Sequence, residues 1–476
     1  MPVTTLHPQY EAMSDDWRLM SDSLAERKIK EGTTHYLPKT AGQIEAESQA
    51  ANPDNESGLT RAEAAKIYEG YLLRAEYPLW VKDSLRTMMG LVGRQEPTIK
   101  LPRGMANLEG NATADGFGLH QLFLRVVSEL LTKGRMPLLA DFDAARSPYI
   151  STYTAETAPN WREANVGGRH DLVLTVLSEE RRSEADDEYE HASDTVYRVL
   201  DIQEGRYRVR VLDQNEDPIE DESTPGKRNG DEVKPLSYIP LVFVGSTDNS
   251  PDVDEIPLLS MARSALKYYT LSADYFTSLH YTAHPQPWVS GLDDDTDLRV
   301  TGPMAAWMLP ENGQAQYLEF RGAGIEATRK AMMDQRNAAL EAGARVVDVD
   351  TEELGEARRA RQDDQHTSLY SVAVAAASGI EQVLKYLADW MGLNPDEVEF
   401  TVEPKFSREE VDAAMLQIVA NMVMAGEVPR KVLFQVLRKA QLTELTDEQL
   451  EASRESGTSP DDDPDSGLPP GGNEDD

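Results

Sequence analysis

The sequence predicts an α+β fold, mainly helical, with one antiparallel β region set between two helical ones. Three observations point there. Apolar residues recur at steps of three or four before about residue 134 and after about residue 257. Between about 170 and 245 the period drops to two. Helix-start signatures then punctuate the chain, with Thr60–Glu63, Ser407–Glu410 and Thr446–Gln449 each spaced as a capping box.

Residues 1–58 read as an irregular arm, with short helical pieces interrupted by "THYLPKTAGQ" and "QAANPDNESG". A firm helix follows at "LTRAEAAKIYEGYLLRAEY" and breaks at Pro78. Val81, Leu85, Met88 and Val92 form the buried face of the next helix, which Gly93 and Pro97 stop. After a Gly- and Asn-rich loop, "LHQLFLRVVSELLTKGR" is an amphipathic helix closed by Gly134. "DLVLTVLS", "DTVYRVLDI", "RYRVRVLD" and "YIPLVFVG" read as the four strands of an antiparallel meander. The turn "EERRSEADDEYEHASD" carries eight acidic and two basic residues, a solvated hairpin tip.

Helix resumes over 257–284, and Pro285 and Pro287 end it. A Pro/Gly-punctuated β-like segment fills 285–324, and a second helix covers 325–347. Each helix is roughly 35–40 Å long at 1.5 Å per residue. The acidic patch "DVDTEE" leads into a long helix ending at Gly392, with Leu369, Val372, Ala376, Ile380, Val383, Leu387 and Trp390 on its buried face and Gly379 as a candidate bend. "EVEFTVEP" is strand-like, and a small helical module follows. The tail from 456 holds seven acidic residues and no basic ones, with many Pro and Gly, a composition that predicts disorder.

Charge and composition exclude several functions. The chain has 476 residues and a net charge of −37, so most of its surface should repel nucleic acid and anionic membranes. It contains no cysteine, which removes disulfides, thiolate metal sites and cysteine nucleophiles. No signal peptide is visible, and the most apolar stretch, "SVAVAAASGI", is about half the roughly 20 residues a membrane span needs. A soluble cytoplasmic product is expected.

Catalytic motifs fail on their details. "PGKRNG" has Gly226–Lys227, but Asp221 stands where a phosphate loop needs its first glycine, and Arg228 follows the lysine. His280 and His284 are four apart, yet the helix ends at Pro285 and no third ligand is spaced to join them. Asp293, Asp295 and Asp297 alternate as in a calcium loop, but Leu298 replaces its glycine and Met304 its closing acid. No enzyme activity, metal or cofactor is expected.

Two helices of similar length around a compact insert describe a stalk: one helix out, a small domain at the tip, one helix back. Tyr268, Tyr275, Phe276, Met332 and Met333 lie on apolar faces that a lone hairpin cannot cover, so they are candidate subunit-interface residues in a ring of copies. The segments "HPQYEAMSDDW", "HYLPKTAGQ", "YLLRAEYPLWVKDSLRTMMGLVGRQEP", "LKYYTLSADYFTSLHYTAHPQPWVSG", "IEATRKAMMDQRNAALEAGARVV" and "LKYLADWMGL" carry a resemblance, as does "FSREEVDAAMLQIVANMVMAGEVPRKVLFQVL". In order, from about 7 to 450, the chain resembles bacteriophage portal proteins, the head–tail connectors of double-stranded DNA phages.

That resemblance implies a homo-oligomeric ring, usually a dodecamer, at a capsid vertex of the virion, assembled in the host cytoplasm. It implies an arm and wing at 1–256, stem helices at 257–284 and 325–347, a clip at 285–324, a tunnel-loop region with the long wing helix at 348–399, a helical crown at 400–452 and a tail at 453–476. The implied partners are double-stranded DNA passing through the channel, the terminase packaging motor, the major capsid or scaffolding protein, and a head–tail adaptor. Twelve copies would carry about −440 charges, a field that keeps DNA from adhering. Against this background the second stem helix has Arg329, Lys330, Arg336 and Arg345 facing Glu326, Asp334 and Glu341, an excess of one positive charge. Arg329, Lys330, Arg336 and Arg345, with Asp348 and Asp350 of the following loop, are the candidate DNA-channel residues. Pairing of these charges along the helix is the competing reading. Another head–tail structural or adaptor protein, or a DNA-packaging enzyme, are the alternatives, the last opposed by the missing phosphate loop.

Overall fold

The computed structural model describes residues 2–52, 60–166, 168–182, 191, 193–229, 232–282, 286–290, 314–318, 322–343, 355–402 and 422. The chain divides into two units, Met1–Pro404 and Lys405–Asp476, and every element below belongs to the first. The fold is α+β.

The N-terminal region is more ordered than its sequence suggests. It holds α1 (Pro8–Ser23), α2 (Glu26–Glu31), α3 (Ala41–Ala51), α4 (Arg61–Arg74), α5 (Trp80–Val92), β1 (Thr98–Lys100) and α6 (Leu119–Lys133). The expected irregular arm is corrected by its anchors: Trp17, Met20, Ile29 and Leu37 are buried. Trp17 donates its indole N–H to the Lys133 carbonyl at 2.9 Å, fastening α1 to the end of α6. Single buried residues in otherwise polar helices give little periodic signal, which is why the arm looked loose.

The helix ends follow the sequence closely. The capping boxes Thr40–Gln43 and Thr60–Glu63 form in full at α3 and α4. In α5, Val81 and Val92 are buried while Leu85 and Met88 are half-buried. Gly134 caps α6 in the left-handed region at φ 72°, and a Cβ there would stand 2.8 Å from the Asp254 carbonyl oxygen, so two constraints select glycine.

The β region begins with β2 (Arg135–Phe142), β3 (Pro148–Thr152), β4 (Asn160–Val166), β5 (Arg169–Arg182), β6 (Ser193–Gln203) and β7 (Arg206–Leu212). It ends with β8 (Gly226–Asn229), β9 (Glu232–Pro235) and β10 (Leu241–Gly245). The meander exists in the order β4-β5-β6-β7, all antiparallel. Its membership differs from expectation. "YIPLVFVG" supplies β10, which pairs with β2 in a separate sheet ordered β10-β2-β3, and β4 takes the fourth place in the meander. All five residues of β10 are buried, as are Arg135–Ala140 of β2. Strands covered on both faces lose the alternation that marks a half-exposed strand, so β2 gives no strand signal and β10 no sign of its partner.

The meander joins this inner sheet through one face. Trp161, Leu177, Leu200 and Tyr207 pack with Leu139 and Phe243. The opposite face carries a smaller apolar group, Val176, Val199 and Leu212, against which Val3 packs.

The remaining elements are α7 (Leu259–Thr282), β11 (Gln286–Ser290), β12 (Gln314–Leu318), α8 (Ala323–Glu341), α9 (Gly355–Trp390) and β13 (Glu399–Thr401). The face expected for α9 is the one it buries: Leu369, Val372, Ala376, Ile380, Val383 and Leu387 are inside, and Trp390 is half-buried. Gly379 is a packing glycine within this continuous helix. A Cβ there would stand 2.5 Å from Val244 Cγ2, so the absent side chain lets α9 settle on β10. β13 closes the unit by pairing antiparallel with β1. Of the expected crown at 400–452 only 400–402 and 422 are described, and the expected tail, Asp293, Asp295, Asp297 and His284 lie outside the described residues.

Candidate functional site

The helix pair α7–α8 and the hairpin between them hold most of the residues singled out by sequence. α7 buries Met261, Ala262, Ala265, Tyr269, Ser272 and Ala273. Small residues on that face admit close neighbours, and α7 packs against α1, α4, α5 and α8. Its first half is tied down by polar contacts. Arg263 reaches both carboxylate oxygens of Asp16 at 2.9 Å. The Ser272 hydroxyl accepts from the Glu76 N–H at 2.9 Å and donates to the Tyr269 carbonyl at 2.7 Å. Further along, Tyr71 donates to Asp274 at 2.8 Å, and Arg74 donates to Thr277 at 3.2 Å. Beyond these contacts His280 and Tyr281 are exposed, with the Arg74 guanidinium 5.9 Å over the Tyr281 ring.

α8 returns antiparallel. Met332 and Ala339 are buried and Ile325, Thr328 and Gln335 half-buried, a seam of alternating steps of three and four. The register shows in the charges. The Tyr275 phenol interacts electrostatically with Arg329, and the Tyr268 phenol with Arg336. Seven residues along α7 thus match seven residues back along α8, two helical turns on each. Past Thr282, the last described residue of α7, β11 and β12 pair antiparallel from Gln286↔Leu318 to Ser290↔Gln314; Pro285, the expected helix end, lies outside the described residues.

The predicted interface residues divide. Met332 is 5% exposed, covered by its own chain, so its burial requires no second copy, and the expectation is corrected there. Tyr268 is half-buried with its ring 5.2 Å from Trp80, an intrachain partner on α5 that the sequence reading did not assign. Burial raises its phenol pKa, Glu76 adds to the rise, and Arg336 opposes it. Tyr275 and Phe276 are half-buried and meet edge to face at 5.1 Å. Met333 is 38% exposed.

The predicted channel residues also divide. Arg329 and Lys330 are exposed and Arg336 is half-buried. Arg329 holds the Glu326 carboxylate with two bonds, from Nε at 2.9 Å and Nη2 at 2.6 Å. That hydrogen bonding raises the guanidinium pKa and lowers the carboxyl pKa. The charge pairing weighed from sequence is therefore realised at Arg329. Arg345, Asp348 and Asp350 lie outside the described residues. Sequence reasoning missed Trp80, Tyr71 and Arg74, whose signal was the aromatic–basic clustering of "YEGYLLRAEYPLW" just ahead of an apolar helix.

Among the described residues no group of three or more His, Cys, Asp or Glu side chains could hold a metal ion. Among them no helix is long and apolar enough to cross a membrane.

A family model described as a domain of unknown function, DUF4055, matches residues 257–391. The match runs from just before α7 to just past the end of α9. No curated protein sequence matches the chain. Among solved structures, a chain from the virion of a native gene transfer agent particle is similar over 83% of this chain and 99% of its own, at 14% identity and a TM-score of 0.42. A chain from the neck of the empty particle, computed with C6 symmetry, is similar over 83% and 93% at 12% identity and a TM-score of 0.39. One from the neck of the native particle, computed with C12 symmetry, is similar over 74% and 89% at 14% identity and a TM-score of 0.37.

Proposed function

We propose that this chain is a portal-type subunit without enzymatic activity, one of a ring at a virion vertex through which double-stranded DNA is packaged and ejected. The observation that carries the reading is the α7–β11–β12–α8 unit: two antiparallel helices, the first of them packed on α4 and α5, with a pair of antiparallel strands between them in the chain. Two paired strands between two antiparallel helices, in a chain whose segments resemble portal proteins from about 7 to 450, support the reading of a stem and its clip. The ring is homo-oligomeric, with twelve subunits as the expected number. Its partners in this reading are the packaging motor, the major capsid or scaffolding protein and a head–tail adaptor. A net charge of −37 per subunit suits a conduit that must pass DNA without retaining it.

Class-averaged electron micrographs of the purified protein test the proposal. Closed rings with a central channel are expected. Monomers or open filaments at micromolar concentration and physiological salt would remove it.

A further inference from the structure

The N-terminal segment Pro2–His7 lies across the meander and is held at four points. Val3 N–H donates to Glu216 Oε1 at 2.7 Å, and the Val3 side chain packs on Val176, Val199 and Leu212. The Thr5 carbonyl accepts from Asn160 Nδ2 at 2.9 Å. His7 N–H donates to the Pro159 carbonyl at 2.9 Å. The His7 imidazole stacks on Trp161 with ring centroids 3.8 Å apart and planes 23° from parallel.

Arg135 occupies the other side of that indole. Its Cζ lies 3.9 Å from the Trp161 ring centre and 3.7 Å from that of Phe243. Two groups at such distances cannot share one face of a ring, so His7 and Arg135 sandwich Trp161. Arg135 is 0% exposed, and none of its three guanidinium nitrogens has a hydrogen-bond partner. Its charge is held by aromatic faces and by the fields of Asp252 and Asp254.

A proton on His7 would act on this arrangement in three ways. His7 is the N-cap of α1, and its Nδ1 accepts from the Gln9 N–H at 3.2 Å. Protonated, Nδ1 becomes a donor and that cap is lost. The new cation would sit at the positive end of the α1 dipole. It would also face Arg135 through a single indole. The charged groups that bear on His7 are Arg135 of β2 and Asp252 of the loop before α7, whose Oδ1 already accepts from Gln9 Nε2 at 2.7 Å. Attraction between imidazolium and indole works the other way, but Arg135 already draws on the same π system.

We propose that Pro2–His7 is an acid-released strap: protonation of His7 frees it from Trp161 and Asn160 and bares the outer apolar face of the meander around Val176, Val199 and Leu212. Burial foremost, then Arg135, lowers the His7 pKa below its ordinary 6.5, with Asp252 partly opposing. The detached strap therefore takes up a proton more readily than the docked one. Docking is complete above pH 6.5 and weakens as the pH falls below it. One proton limits the change in the opening equilibrium to about tenfold per pH unit.

Hydrogen-exchange mass spectrometry of the full chain reads this directly, between about pH 7.5 and about pH 5 and corrected for intrinsic exchange rates. The wild-type N-terminal peptide should lose protection as the pH falls, with a parallel rise in binding of a hydrophobic dye. His7→Asn keeps a capping acceptor and cannot titrate in this range, so its protection should stay flat. Asp252→Asn keeps an acceptor for Gln9 but removes the charge that favours a docked imidazolium, so its loss of protection should begin at the same pH and run deeper than in the wild type. Glu216→Gln should respond as wild type does. Protection that persists in the wild type through this range would overturn the proposal. So would an equal loss in His7→Asn, or a response abolished by Glu216→Gln, which would place the switch on the carboxylate.

Discussion

Asp201 shows how one residue can set a sheet's dependence on pH. It sits opposite Arg208 in the β6–β7 register and is 9% exposed. Its carboxylate accepts from Arg208 Nε and Nη2 and from Arg210 Nη2, each at 2.8 Å. Burial alone would raise its pKa, but these hydrogen bonds outweigh burial and hold it below the ordinary 3.8. Its stabilisation is therefore present above pH 3.8 and is lost as the pH falls through the lowered value. Asp201→Asn should cost about 1–2 kcal/mol near neutrality and flatten the acid limb of the stability curve, measured by denaturant titration at several pH values. Wild-type and variant curves of equal steepness below that point would contradict the assignment. Gly379 makes a different demand, for space. Adding a methyl group 2.5 Å from Val244 Cγ2 forces α9 away from β10. Gly379→Ala should cost about 1–3 kcal/mol, and Val244→Ala in the same chain should recover part of it. Additive losses in the double variant would show that the two sites do not touch.

At the scale of elements, the α7–α8 pair separates a covered seam from an uncovered remainder. Met332 and Ala339 are closed off within the chain, whereas Tyr275 and Phe276 stay half-buried and Met333 and Tyr281 exposed. If neighbouring copies complete that cover, Phe276→Asp would place a charge between subunits. The expected result is loss of rings in native mass spectrometry while the circular dichroism and thermal midpoint of the subunit stay close to wild type. Unfolding of the isolated subunit would instead mean that Phe276 serves the intrachain core. The elements also show where periodicity informs and where it fails. α5, α6 and the buried face of α9 are legible because a helix with one apolar side repeats every three or four residues. β2 was not, because a strand covered on both sides shows no alternation. β10 was seen as a strand, but its partner was not, because pairing depends on what packs behind the sheet.

At the scale of the molecule, a net charge of −37 stands against the arginines of α8, and the proposed DNA conduit would set the two at odds. Arg329 is already matched to Glu326, and Arg336 lies by Tyr268 on the α7 side. If these residues also guide the duplex, Arg329→Glu with Arg336→Glu should lower the DNA content of assembled particles while rings still form and join capsids. Ring stability failing before packaging would assign the two arginines to the helix pair itself. Screening confines such guidance to about 8 Å at physiological salt, so the effect should weaken as salt rises. What the sequence determined by itself is the local layer: the helix start at Thr60, the α6 stop at Gly134 and the buried stripe of α9. Each depends on backbone geometry or on residues a few positions apart, which the chain order states directly. Only the tertiary structure decided that β10 joins β2, that Gly379 yields room to Val244, that Trp80 covers Tyr268, and that His7 and Arg135 meet across Trp161. Those contacts join positions far apart in the chain, where no spacing rule applies and the partner is chosen by the shape and charge of the assembled core.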